Sequence, residues 1–304
     1  MKSRVGIVLA PVISLAAITA GLVGYQGGSA PVSTTAPGSN TTGGSSSAVI
    51  ASGTLSALTY NVAGLPQGIS SSQPSTYTSQ ISPLLNSYDL VLVQEDFFYH
   101  TDLQRDVRHL WRSTPLRGAT ALASDGLNRF SQSRVFDFDR QRWGTCNGFF
   151  SNGNDCLAAK GFSLARHQVA TGVVIDVYNL HADAGGSSGD IAARADQFKQ
   201  LKDYILSNSA GRAVIVAGDS NLDGFDPNDE PVLRDFMDQV PLQDACRTLG
   251  QGPESIDRFF FRSGSKVRVE PVSWRVATEF TTGSGQPLSD HEAIHVNFEW
   301  RLVR

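Results

Sequence analysis

The chain has 304 residues, 40% of them hydrophobic and 18% charged, with a formal net charge of −4. That apolar content is enough for one sizeable core and excludes a wholly disordered chain. The slight acidic excess argues against a broad polyanion-binding surface, while leaving nucleic acid open as a substrate.

Residues 1–30 read as an export leader. Lys2 and Arg4 precede an apolar run from Val5 to Val23, and Gly28-Ser29-Ala30 offers small residues for cleavage. The run is long for a leader, which keeps an uncleaved membrane anchor as the second reading. Either reading places the remaining chain outside the cell, and cleavage leaves 23 basic against 29 acidic side chains. Residues 31–53 are mostly Ser, Thr, Gly, Ala and Pro without a charge, the composition of a flexible linker. Residues 54–304 then form one domain.

Strands and helices alternate through that domain. Leu55–Asn61 reads as a strand, Thr76–Asn86 as a helix, and Asp89–Gln94 as an apolar strand that runs into Glu95. Val173–Leu180 is a strand running into His181. In Ile191–Leu206, residues Ile191, Ala195, Phe198, Leu201 and Ile205 follow helical spacing, with Ser188 or Asp190 as the cap. Ala213–Ala217 is wholly apolar and suits a strand buried on both faces, with Gly218, Asp219 and Asn221 following on the turn. Asp229–Gln239 is a second amphipathic helix. Arg258–Phe261, Val267–Ala277 and Ala293–Trp300 read as strands without helices between them, which predicts mixed sheets.

Of the three cysteines, Cys146 and Cys156 flank a turn-rich loop and are expected to pair in an exported protein. A loop of that length gains about 2.5–3 kcal/mol from closure. Cys246 is left as a buried thiol, and no zinc-type spacing exists.

Polar groups collect at the strand ends: Asn61, Glu95, His181, Asp219 with Asn221, and Ser289-Asp290-His291 before the last strand. Each alone serves equally well as a turn former, a helix cap or a loop histidine. Together they point to one site beyond the carboxyl ends of the strands. The chemistry they support is metal-assisted phosphodiester cleavage. Glu95, Asp290 and the Asn61 amide are hard oxygen ligands for Mg²⁺, with Mn²⁺ or Ca²⁺ as substitutes. His181 and His291 can bind phosphoryl oxygens or transfer protons, and Asp219 can orient or deprotonate water. No GxSxG elbow and no P-loop compete.

The ordered set LTYNVAGLP, VQED, YNLHADAG, GDSNLD, IDRF and SDH resembles the endonuclease/exonuclease/phosphatase superfamily, from about Leu55 to Phe298. The resemblance implies an α/β deoxyribonuclease-I-like fold: a four-layer α/β/β/α sandwich with two packed mixed β-sheets. It also implies Glu95 as the principal Mg²⁺ ligand beside Asn61, with Asp290 alongside. His181 is then expected on the scissile phosphate, as a candidate to protonate the leaving oxygen, Asp219 and Asn221 on water and phosphate, and Asp257 as the acid that orients His291. Water activation stays open between Asp219 and His291. Within the superfamily, Asp155–Phe162 and the cysteine-closed loop before it resemble secreted sphingomyelinase-like phosphodiesterases. Membrane-attacking members carry an aromatic hairpin before SDH; here Glu279–Gln286 holds one aromatic, Phe280, and a Gly/Ser turn. Phe97-Phe98-Tyr99 is the remaining candidate for a lipid-facing patch.

The expected protein is thus a secreted Mg²⁺-dependent phosphodiesterase, with sphingomyelin-type head-group cleavage leading and nucleic acid second. The nuclease reading rests on Arg105, Arg108, Arg112, Arg117, Arg129, Arg134, Arg140 and Arg142, although Asp106, Asp125, Asp137 and Asp139 are interleaved. The Asp125–Arg129 turn would bring Asn128 or Arg129 to the substrate phosphate. Inositol-phosphate hydrolysis and a catalytically retired binding module complete the alternatives. Glu95, His181, Asp219 and His291 are all present, which weighs against the last. Peripheral membrane contact is expected, and no obligate protein partner.

Overall fold

The computed structural model describes residues 48–116, 124–148, 155–251 and 255–304. The leader, linker residues 31–47, Arg117 and the turn residues Asn152, Gly153 and Asn154 lie outside the described residues.

The first half runs β1 (Val49–Asn61), α1 (Pro74–Leu84), β2 (Leu90–Gln94), α2 (His100–Gln104), β3 (Trp111–Arg112), β4 (Asn128–Ser131), β5 (Arg134–Arg142) and β6 (Gly161–Ala170). The second runs β7 (Val173–His181), α3 (Ser188–Asn208), β8 (Ala213–Asp219), α4 (Asp229–Gln239), β9 (Gln243–Asp244), α5 (Ala245–Leu249), β10 (Asp257–Arg262), β11 (Val267–Val276) and β12 (Ile294–Val303). Two six-stranded sheets result, ordered β11-β12-β1-β2-β4-β3 and β5-β6-β7-β8-β10-β9. Pairs β1–β2 and β7–β8 are parallel and the others antiparallel, so both sheets are mixed.

Side-chain alternation builds the layers. Leu90 and Leu92 of β2 and Ile175 and Val177 of β7 point between the sheets, where they join Ala217, Phe259, Val296 and Phe298. Val91 and Val93 point outward onto Ile81, Leu85 and Leu103 around α1 and α2. Tyr178, Leu180, Val214 and Val216 point outward onto Phe198, Leu201 and Ile205 of α3 and Leu233 and Phe236 of α4. The expected four-layer sandwich is present, and β8 is buried along its whole length.

Two of the boundaries that differ from the sequence reading have a clear physical reason. β1 begins at Val49, inside the stretch assigned to the linker, because Val49 and Gly53 pair with Val303 and Trp300 of β12. Composition does not register a pairing partner that lies so far along the chain. α3 is capped by Ser187, not Ser188: Ser187 Oγ accepts from Asp190 N at 3.3 Å, and Asp190 accepts from Ser187 N at 2.8 Å. This reciprocal arrangement needs the acid three residues after the cap, which selects Ser187. The Cys146–Cys156 disulfide forms, with Cα atoms 5.3 Å apart. Cys246 is half-buried against the inter-sheet core.

Candidate active site

Strand register assembles the site. Parallel pairing sets Asn61 beside Gln94 and His181 beside Asp219. Antiparallel β10 then sets Asp257, its first residue, opposite Asp219, the last of β8. β12 meets β1 at Ile294 and Thr59, which brings the preceding Ser289-Asp290-His291 turn back to Asn61. Two close approaches demand glycine. A Cβ on Gly218, at φ +141°, would lie 2.0 Å from Leu180 O, and one on Gly64 would lie 2.3 Å from Glu95 O. Glu95 and Asn221 leave their strands with φ of +57° and +48°. Asn tolerates that region, whereas for Glu it is uncommon, so Glu95 carries backbone strain at its turn.

The two sheets contribute opposite halves. Asn61 Nδ2 donates to Glu95 Oε1 at 3.2 Å and to Asp219 Oδ2 at 3.0 Å, joining one sheet to the other. His181 Nε2 stands 3.4 Å from Asp219 Oδ2 and 3.9 Å from Glu95 Oε1. His291 Nε2 stands 3.7 Å from the same Asp219 oxygen, while its Nδ1 lies 2.7 Å from Asp257 Oδ2. Asn221 N donates to Asp219 Oδ1 at 3.0 Å, and its Nδ2 donates to Ala182 O at 3.1 Å. Six of the expected residues therefore meet at hydrogen-bonding or near-contact distance around Asp219, and Asn221 flanks them.

Burial and charge divide the roles. Burial, and secondarily the charge of Asp257, pushes Asp219 up to about 6. Burial likewise raises Glu95, against the pull of Lys160 and Asn61. His181 is held well below its ordinary value, chiefly by burial and then by the charges of Lys160 and His291. Burial alone would lower His291 too, but the hydrogen bond and charge of Asp257, with Asp219 and Asp290, outweigh it and raise it to about 10. One imidazole is kept neutral and the other charged.

Asn61 and Asp290 differ from the ligand expectation. Asn61 Oδ1 accepts from Ala63 N at 3.0 Å, so the amide turns its NH₂ group, not its oxygen, toward the carboxylates. Asp290 is exposed, and its carboxylate bonds to the hydroxyls of Ser71 and Ser289. Asp219, Asp257 and His291 form the one His/Cys/Asp/Glu cluster with metal-holding spacing among the described residues. Glu95 nevertheless suits a hard divalent ion: its burial disfavours an uncompensated charge, and Mg²⁺ takes one or two carboxylates and fills its shell with water.

Asn128 and Arg129, expected on the substrate phosphate, are instead both buried and hydrogen-bonded within the protein. Arg129, at 0% exposure, crosses between the sheets from β4 and donates to Val177 O at 3.0 Å and Ser163 O at 2.8 Å. Asn128 is also buried, donating to Asp96 at 2.8 Å and accepting from Ser113 Oγ at 2.9 Å. Asp125, heading that turn, pairs with Arg140. The arginines expected of a nuclease disperse in the same way. Arg105 pairs with Asp102 and Asp106, Arg112 binds main-chain carbonyls, and Arg134 lies over Phe136.

Lys160 is the group that sequence reasoning left without a role. Buried at the start of β6, it pairs with Asp155, donates to Ala182 O at 3.2 Å, and its charge reaches Glu95, Asp219 and His181. Its signal was a lone lysine between Ala158-Ala159 and Gly161-Phe162, at the mouth of an apolar strand.

No family model matches this sequence. It is 37% identical over 273 residues to sphingomyelinases of Mycobacterium tuberculosis and Mycobacterium bovis, across 82% of this chain. These relatives agree with the resemblance to the endonuclease/exonuclease/phosphatase superfamily. The chain spans about half, 53%, of the length of those mycobacterial relatives. The fold is also that of sphingomyelinase C from Streptomyces griseocarneus, with a TM-score of 0.62 and 18% identity over 81% of this chain and 99% of that one. A double mutant of beta toxin from Staphylococcus aureus with bound magnesium ions superposes at TM-score 0.58, with 16% identity over 80% and 98% of the two chains. TDP2 of D. rerio, complexed with single-strand DNA product, does so at 0.59, with 17% identity over 81% and 98%.

Proposed function

We propose that this protein is an exported, Mg²⁺-dependent phosphodiesterase that cleaves a sphingomyelin-type phospholipid head group. The observation that carries the reaction class is the meeting of Asn61, Glu95 and His291 from one sheet with His181, Asp219 and Asp257 from the other, His291 pairing with Asp257 across the gap. Export is supported by the composition of residues 1–30 and agrees with the disulfide.

Glu95 would hold the ion, with Asn61 fixing the carboxylate from behind by its NH₂ group. Bound there, Mg²⁺ would offset charge on a phosphoryl oxygen and on the leaving group. Asp219, near 6, suits a general base at neutral pH and takes a proton from the attacking water. Neutral His181 donates an Nε2–H to a phosphoryl oxygen. Charged His291 brings a positive donor to the phosphate and passes its Nε2 proton to the departing alkoxide. Water is thereby added across the P–O bond, with Asp219 gaining the proton that His291 loses.

A lipid substrate is favoured by the mycobacterial relatives and by the loops that leave the site. Ile69 after β1, Phe98 after β2 and Phe225 after β8 are 70%, 43% and 79% exposed. Phe97 and Phe280, by contrast, are buried, Phe280 with its ring centroid 4.8 Å from that of Tyr60. The turn from Thr281 to Pro287 carries polar residues at its tip and offers no wedge. Membrane contact then falls to Ile69, Phe98 and Phe225. Ile69→Ser with Phe225→Ser is expected to slow turnover on sphingomyelin micelles while leaving a soluble phosphodiester unaffected. Equal rates on micelles would remove these loops from lipid contact.

The deciding experiment offers the purified protein sphingomyelin in mixed micelles and, separately, plasmid DNA, each with Mg²⁺ or EDTA. Mg²⁺-dependent release of phosphocholine without nicking is the expected result. Nicking alone would replace the lipid reading with a nuclease. Glu95→Gln is expected to raise the Mg²⁺ concentration needed for half-maximal rate at least about tenfold, on the scale of losing a charged contact. An unchanged Mg²⁺ requirement would place the ion elsewhere.

A further inference from the structure

The catalytic groups arrive on two separate sheets, and the space between those sheets is filled mainly by aliphatic and aromatic side chains. Apolar packing is not directional and fixes the approach of two sheets better than it fixes their sliding. Sliding by a few tenths of an ångström would change how Asn61 and Glu95 face His181 and Asp219. A device that stops it should be polar, buried and close to the strand ends.

Such a device exists. Thr59, Gln94 and Asn179 are all completely buried, and they lie on β1, β2 and β7. Gln94 Nε2 donates to Thr59 Oγ1 at 3.0 Å within its own sheet and to Asn179 Oδ1 at 2.8 Å in the other. Asn179 Nδ2 reaches back across the gap to Val93 O at 3.0 Å and Asn128 O at 3.1 Å. Both amides are therefore oriented by more than one partner, and neither can rotate without leaving a buried polar group unpaired. Each is almost adjacent to a working side chain. Thr59 is two residues before Asn61, Gln94 immediately precedes Glu95, and Asn179 is two residues before His181.

We infer that Asn179 and Gln94 are positioning residues: an amide pair that locks the two sheets in register at the site edge. By doing so it holds Glu95 Oε1 3.9 Å from His181 Nε2. The pair touches neither substrate nor ion and acts only through its neighbours. Plain structural filler would not need two carboxamides, because the surrounding positions are served by Leu90, Leu92, Ile175 and Val177. This inference takes the cross-sheet cluster as the catalytic centre, as the proposed phosphodiesterase does.

Asn179→Ala breaks every cross-sheet hydrogen bond of the pair. The expected result is a folded protein whose kcat on sphingomyelin falls roughly 10²-fold with little change in KM, the scale of a misplacement of about 1 Å. Ile215→Val, a trim within the inter-sheet core, lowers the melting temperature and leaves kcat intact. The exchange Gln94→Asn with Asn179→Gln keeps the summed reach of the two amides and is expected to recover most of the rate. In a His181→Ala background, Asn179→Ala should cost far less than in wild type, because the group it aligns is gone. Equal losses in both backgrounds would make its role general stability and overturn the inference. A crystal structure of Asn179→Ala decides the matter without any assay: the Glu95–His181 separation should change while the β1–β12 register is kept. An unchanged separation would overturn the inference, even if the wild type proved to act on DNA or on neither substrate.

Discussion

An Asp219→Asn variant is expected to turn over roughly 10²–10⁴-fold more slowly than wild type while remaining folded, the range of a lost general base. Asparagine keeps the shape and still offers an oxygen to the Asn221 amide, which now bonds Asp219 Oδ1 at 3.0 Å. It cannot take a proton from water. A second consequence separates this role from a structural one. Asp219 is pushed from 3.8 to about 6 in the folded protein, so its ionised form is disfavoured by folding. In EDTA, the stability associated with Asp219 is full below its unfolded pKa and is lost as pH rises through about 6. Asparagine removes that loss. Thermal melts of the two proteins in EDTA should thus diverge in favour of the variant above about pH 6. A variant of normal rate, or one that melts lower than wild type at alkaline pH, would remove Asp219 from the role of base.

Asp257→Asn is expected to move the whole pH–rate profile toward acid and to cost roughly 10²–10³-fold at neutral pH. The sign follows from two effects of one carboxylate. Asp257 accepts from His291 Nδ1 at 2.7 Å and supplies much of what lifts that imidazole, against burial, to about 10. Without it, burial prevails and His291 loses its proton at a lower pH, pulling down the alkaline limb. The same charge also raises Asp219, so its loss lets Asp219 ionise earlier and pulls down the acid limb. The check is kcat/KM against pH for both proteins. An alkaline limb that stays in place would show that His291 is not the proton donor.

The strand ends were legible because two local rules converge there. Apolar runs such as Ala213–Ala217 announce a doubly buried strand, and the polar residues that follow have few reasons to stand together. Asp257 needed the resemblance, since nothing local in Ile256-Asp257-Arg258 shows which histidine it will meet. Arg129 was misread for a physical reason: after Asp-Gly, an arginine looks like an exposed turn residue. Its burial depends on the carbonyls of Ser163 and Val177, supplied by distant strands of the other sheet. Asn61 does end its strand beside Glu95, but its orientation was not legible. Which end of a carboxamide faces a site is decided by one backbone N–H, that of Ala63. Gln94 and Asn179 were hidden within strands that scored simply as apolar.

The pairing of β1 with β12 has a consequence for how the protein is made. Asn61 sits on one of the first strands of the domain, yet its flank is completed by Ile294–Val303, and His291 arrives only with the turn leading into that strand. A chain in which Ile294–Val303 has not yet paired lacks His291 at the site and has an open edge on β1. The site is therefore complete only when two segments far apart in the sequence have zipped together. Until that pairing closes, the proposed phosphodiesterase lacks one of its two site histidines.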